Sequence, residues 1–132
     1  MKSVLIIEHD PALKRSLLRL LGRYGWWVDA VESLEEALVF LDRTPPDVVL
    51  IDWQIAGGSG LALLLPIKER PGWCAVPVVM LHHGVAVHEI EEALAMGAND
   101  FLPVPFTADG VRRTLDRWVI ERSDIPERKM TR

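Results

Sequence analysis

The chain is short of cysteine, of excess positive charge and of long apolar runs. Its single cysteine, Cys74, has no partner within the chain, which excludes an internal disulfide framework and fits a reducing compartment. No stretch approaches the roughly 20 apolar residues of a membrane helix. The opening Met1-Lys2-Ser3-Val4-Leu5-Ile6-Ile7-Glu8 reaches an acid after too short an apolar run for a signal peptide. A cytoplasmic protein without membrane contact is the expectation. Fifteen Lys and Arg stand against nineteen Asp and Glu, for a formal net charge of −4, so direct nucleic-acid binding is not expected. Internal repeats and low-complexity tracts are missing too.

What is present suits one domain. The 132 residues are 49% hydrophobic and 26% charged, enough length and apolar content for a real core. Short apolar runs alternate five times with helical patterns. Val4–Ile7 is continuous rather than alternating, as in a strand buried on both faces. Asp10-Pro11 then reads as a helix start, with Asp10 as N-cap and Pro11 in the first turn. Leu13, Leu17, Leu20 and Leu21 form its stripe, ending near Gly25. Trp27–Val31 is a weaker second strand.

Ser33-Leu34-Glu35-Glu36 matches a capping box, with Glu36 placed to reach back to the N-cap amide. Ala37, Leu38, Phe40 and Leu41 follow, and Pro45-Pro46 prevents continuation. The third strand is Asp47–Asp52, apolar until it ends in a carboxylate. Gly57-Gly58-Ser59-Gly60 reads as a flexible loop before a Leu-rich helix near Leu61–Glu69, which Pro66 should bend or shift. Val76–Leu81 is the fourth strand. Val87–Met96 is a helix closed by Gly97 in a left-handed cap. Asp100–Val104 is the fifth strand, and Thr107 caps a last helix with Val111, Leu115, Trp118 and Val119 facing inward. Residues 122–132 read as a polar tail or the start of a linker.

Five strand–helix repeats with strands buried on both faces imply a parallel sheet covered on each side. Ligands in such sheets bind at the carboxyl ends of the strands. Those ends carry Glu8-His9-Asp10, Asp52 and His82-His83, a concentration of ionisable groups that marks the site by position alone.

With these residues placed, the chain resembles the response-regulator receiver family. The matching segments are Ile6-Ile7-Glu8-His9-Asp10-Pro11, Val49-Leu50-Ile51-Asp52-Trp53 with Gly60 downstream, Pro77-Val78-Val79-Met80-Leu81, and Gly97-Ala98-Asn99-Asp100-Phe101-Leu102-Pro103-Val104-Pro105-Phe106. No one motif is decisive; the ordered set is. The resemblance spans residues 2–121 and implies a flavodoxin-like (βα)5 three-layer sandwich, sheet order 2-1-3-4-5, over a receiver domain of residues 1–121. It implies a cis Val104–Pro105 peptide. It also implies a histidine kinase or another signalling protein as partner, with the last helix face as a candidate dimer or docking surface.

The resemblance makes Asp52 the phosphoacceptor position. A carboxylate is a weak nucleophile and needs a bridging cation and positive charge near the transferred group. In the family, two acids after the first strand hold Mg²⁺, a hydroxyl residue ends the fourth strand, and a lysine ends the fifth. Here the first acid is Glu8 but the second is His9. The hydroxyl position is His82, followed by His83, and the lysine position is Val104. Phe101 occupies the switch aromatic position without a hydroxyl. Two unit charges about 4 Å apart cost on the order of 4 kcal/mol at an effective dielectric of 20, and His9 is a poor ligand for Mg²⁺, which prefers oxygen.

The leading expectation is therefore an interaction module, not an enzyme, with weak or absent phosphoryl acceptance at Asp52. Two alternatives stay open. One is a competent receiver in which protonated His82 or His83 supplies the missing charge. The other is a metal- or pH-sensing domain using His9, His82 and Asp52, with Glu8 as a further donor. Plainer readings cover the rest. Asp10 is an N-cap, His88 is exposed, and Arg112, Arg113 and Arg117 line the polar side of the last helix. Trp26, Trp27, Trp53, Trp73 and Trp118 are core or half-buried packing, not a base-stacking platform. The Gly57–Gly60 run lacks the lysine of a nucleotide-binding loop.

Overall fold

The structure, a computed structural model, describes residues 1–119; the expected polar tail lies outside the described residues. Ten elements alternate: β1 (Ser3–Ile7), α1 (Pro11–Arg23), β2 (Trp27–Val31), α2 (Leu34–Phe40), β3 (Val48–Asp52), α3 (Leu64–Glu69), β4 (Val78–His82), α4 (Val87–Met96), β5 (Asp100–Pro103) and α5 (Ala108–Trp118). All pairings in the main sheet are parallel, in the order β2-β1-β3-β4-β5. This is the flavodoxin-like sandwich that the resemblance implies.

Successive strand side chains point to opposite faces, and the two cores follow that alternation. Leu5, Ile7, Val49, Ile51, Val78 and Met80 meet Ala37 of α2, Leu64 and Ile67 of α3, Ala93 of α4, and Trp73. Val4, Ile6, Val48, Leu50, Val79 and Leu81 meet Leu17 and Leu21 of α1 and Val111 and Leu115 of α5. Burial on both faces is what makes these strands read as unbroken apolar runs.

Most helix ends behave as their sequences dictate. Asp10 accepts from the Ala12 and Leu13 amides, Ser33 from Glu36, and Thr107 from Gly110. Gly97 closes α4 at φ +119°, and the Val104–Pro105 peptide is cis.

Several expectations need correction. Glu36 reaches the Glu32 amide, one residue before the cap. The Gly57–Gly60 run is not merely a loop: Gln54–Ile55 and Gly58–Ser59 pair as a two-residue antiparallel hairpin. A single 3₁₀ turn, Gly60–Leu63, then precedes α3. The helix thus starts at Leu64, and Pro66 sits in its first turn, where its missing N–H leaves no intrahelical bond unmade. β4 runs Val78–His82 rather than Val76–Leu81, and β5 stops at Pro103, one residue short of Val104. Trp27, at the start of an edge strand, is 62% exposed. Leu38 faces solvent. Trp118 sits on the rim, its indole N–H donating to Asp100 Oδ2 at 2.8 Å beside Arg117 at 2.7 Å.

Candidate functional site

β1 and β3 are neighbours in register, Ile7 beside Ile51, and β3 continues so that Asp52 lies beside Leu81 of β4. One residue beyond these paired ends stand Glu8 and, after His82, His83. Parallel register thereby brings side chains far apart in sequence onto one edge. Gly60 closes the approach from below. Its N–H donates to Trp53 O at 2.8 Å, and a Cβ there would lie 2.1 Å from Asp52 O. Only glycine lets the chain return this tightly onto the end of β3.

Asp52 is almost fully enclosed, its side chain 3% exposed. Oδ1 accepts from the Gln54 amide at 3.0 Å. Oδ2 lies 3.2 Å from His83 Nε2. Since a carboxylate only accepts, that nitrogen carries the ring proton. The His83 side chain is 53% exposed, so the imidazole spans from the buried acid to solvent.

Glu8 is wholly buried. Its Oε2 accepts from the Asp10 amide at 3.1 Å, while Oε1 has no hydrogen-bond donor among the described residues. The Asp52 carboxyl lies within hydrogen-bonding reach of Glu8, and two acceptors cannot bond until one gains a proton. Burial pushes the Glu8 carboxyl up to about 8, reinforced by the bond to Asp52 and the nearby negative charges of Asp52 and Asp10, against the opposing Asp10 amide. Near neutrality Glu8 is therefore a carboxylic acid, and its proton fills the gap that the heavy atoms leave open.

The other histidines point elsewhere. His9 Nδ1 donates to the Gln54 carbonyl at 3.1 Å and lies 3.8 Å from Glu8 Oε2. His82 Nδ1 accepts from the Gly84 amide at 3.4 Å, and its ring stands edge-on to Phe101 with centroids 6.4 Å apart. Phe101 also packs against Trp53 at 6.2 Å. The structure thus brings together Glu8, Asp52 and His83 but does not bring His9 and His82 onto Asp52. No group of three or more His, Cys, Asp or Glu side chains among the described residues is arranged to hold a metal ion. Val104 donates its amide to His82 O at 2.8 Å and packs against the α1/α5 core. No Lys or Arg is ion-paired with Asp52 or Glu8 among the described residues.

Sequence reasoning overlooked Gln54, whose amide holds Asp52 and whose carbonyl holds His9. The Gly57-Gly58 pair offered a clue, since such dipeptides favour tight hairpins. The metal- or pH-sensing reading chose His82 rather than His83 as the partner of Asp52, and it is His83 that meets that acid, because alternation cannot say which residue beyond a strand end turns inward.

Comparison with known proteins decides the family. The model of the response regulator receiver domain matches residues 4–116. The chain belongs to that family. This receiver is 31% identical over 130 residues to the acid tolerance regulatory protein ActR of Rhizobium meliloti, covering 98% of this chain but 66% of ActR. Among solved structures, it resembles the receiver domain of the sensor histidine kinase PA1611 from Pseudomonas aeruginosa, which holds a magnesium ion in its active-site cleft. Identity there is 25%, TM-score 0.81, with 89% of this chain and 96% of that one covered. The chemotaxis response regulator CheY4 of Vibrio cholerae shares the fold with TM-score 0.85 at 22% identity, over 90% of this chain and 99% of that one. As a receiver, the chain is a signalling module of the two-component type, and no helix among its described residues is long and apolar enough to cross a membrane.

Proposed function

We propose that this receiver is a protein-interaction module whose Asp52 accepts a phosphoryl group weakly or not at all. One observation carries the reading: Asp52 is enclosed between a carboxylic acid and an imidazole, with no Lys or Arg paired to it among the described residues. A phosphoryl group on Asp52 would add between one and two negative charges to an enclosed pocket, where no Lys or Arg among the described residues is paired with Asp52. A cation about 4 Å away would contribute on the order of 4 kcal/mol at an effective dielectric of 20, and losing a few kcal/mol is several decades in rate.

The donor set does not fit Mg²⁺, the ion that relatives such as PA1611 hold. That ion demands oxygen ligands in near-octahedral order. The position after Glu8 offers an imidazole instead, and this imidazole already occupies the Gln54 carbonyl. Glu8 would first have to give up its proton. No step is routed through the ion.

With modification disfavoured, docking of a histidine kinase, another signalling protein or a second copy is the remaining mode of action. The β5–α5 side supports it. A shallow groove of about 480 Å³ lies there, lined by Phe101, Pro105, Phe106, Thr107, Arg113 and Arg117. Phe101 links this groove to the pocket through His82 and Trp53.

The test uses a small acyl phosphate donor with Mg²⁺, read by intact mass. The expected result is no alkali-labile, phosphate-sized increase on Asp52. Val104→Lys, which returns a cation to the pocket, should raise acceptance, and Asp52→Ala should abolish that gain. Ready, long-lived modification of Asp52 in the unaltered chain would overturn the reading.

A further inference from the structure

We propose that the nucleophile this pocket presents to phosphoryl donors is the imidazole of His83, with Asp52 acting as the carboxylate that holds the ring. The proposal rests on the reading that Asp52 itself is not the acceptor.

Access and orientation point the same way. Asp52 is 3% exposed while His83 is 53% exposed, so a donor meets the ring first. The 3.2 Å contact between His83 Nε2 and Asp52 Oδ2 fixes the tautomer with the proton on Nε2. Nδ1 then keeps its lone pair, and no hydrogen bond to it is made among the described residues. A nucleophile oriented by a neighbouring group, with its reactive atom free, is the usual arrangement for covalent transfer.

The charge balance favours the ring over the acid. Attack by neutral Nδ1 leaves the ring with a positive charge, and the Asp52 carboxylate at 3.2 Å offsets it. Attack by Asp52 would instead add negative charge to an enclosed pocket, a charge that a lysine and a metal would have to offset. Those supports are what this pocket lacks, with Val104 and His9 in their places. A histidine acceptor needs neither; it needs a carboxylate partner and an open ring nitrogen.

The substrate class is a phosphoramidate, either small or carried on a partner's imidazole. The Nδ1–P bond forms as the donor P–N bond breaks. The donor nitrogen leaves with the bonding pair and takes a proton from solvent. The Nε2 proton stays on the His83 ring, and nothing is oxidised or reduced.

The test incubates the whole chain with phosphoramidate and reads intact mass, alkali stability and the ³¹P spectrum. Circular dichroism checks that each variant is folded. The expected product is a phosphate-sized adduct that survives alkali and is lost in acid, as N-phosphoryl imidazoles are. It should vanish in His83→Ala and persist in His88→Ala. In Asp52→Asn it should form about tenfold more slowly, because Asn keeps an acceptor for Nε2–H but loses the charge. An alkali-stable adduct that remains in His83→Ala would overturn the proposal. So would no adduct at all, which would leave the interaction-module reading standing. An alkali-labile adduct abolished by Asp52→Asn and kept by His83→Ala would sink both.

Discussion

The two ends of the sheet solve opposite electrostatic problems. At the carboxyl end, Glu8 and Asp52 are two buried acids with no fixed cation among the described residues, and a proton on Glu8 and an imidazole stand in for one. At the amino end, Lys68 is a half-buried cation with no carboxylate paired to it among the described residues. Its Nζ donates to Val76 O at 2.9 Å and Asn99 Oδ1 at 3.1 Å, and that same Asn99 oxygen accepts from Val78 N at 2.8 Å. Burial holds the Lys68 ammonium below its usual range. Neutral dipoles satisfy the lysine geometrically and tie α3 to the starts of β4 and β5. The acids are satisfied only while a proton stays. One end is therefore a fixed clamp, and the other depends on pH.

The glycines at the two ends sharpen this contrast most. Gly60→Ala would drive a Cβ to 2.1 Å from Asp52 O, a backbone atom that cannot yield. Gly97→Ala meets the flexible Lys68 stem, at 2.8 Å from Cγ, and adds the strain of φ +119°. Chemical denaturation should show a loss above about 3 kcal/mol for Gly60→Ala, in the class of severe overpacking. About 1–2 kcal/mol is expected for Gly97→Ala. Comparable losses would mean that the site end is no more tightly built than the clamp.

Next in size is Lys68→Ala, which removes the ammonium that donates both hydrogen bonds and the stem that covers Gly97. Leaving Val76 O and Asn99 Oδ1 short of partners should cost about 2 kcal/mol. Because no carboxylate among the described residues pairs with the lysine, the loss measured at low and at high salt should agree within error. A strong salt dependence would reveal a charge partner and break the contrast.

Glu8→Gln tests the proton directly. Glu8 titrates near 8 in the folded chain and near 4.5 when unfolded. Between those values the unfolded chain has released a proton that the folded chain keeps. Stability from this group is therefore complete below pH 4.5 and falls as pH rises towards 8. Denaturation midpoints should decline steadily over that window, and Glu8→Gln should flatten the decline. An unchanged slope in the variant would place the titrating group elsewhere.

The fold was largely legible in the residues, because continuous apolar strands and strong caps such as Asp10-Pro11, Ser33 and Thr107 each carry their own local physics. Trp27 and Trp118 were misjudged as buried or inward, because an aromatic at an edge or helix end follows neighbours from other elements. The position of the pocket was legible too, from carboxylates and histidines at strand ends. Its internal bonding was not. His82 and His83 are adjacent and chemically identical, yet His82 packs edge-on to Phe101 and accepts from the Gly84 amide while His83 meets Asp52.

By itself, the order of residues determined the alternating elements, the parallel sheet and which ionisable groups would gather at one edge, since periodicity and capping act within a few residues. Tertiary structure alone decided which histidine meets the acid, that Gln54 braces both Asp52 and His9, and that Glu8 keeps its proton. Those outcomes turn on distance and burial between segments tens of residues apart, and no local pattern encodes either.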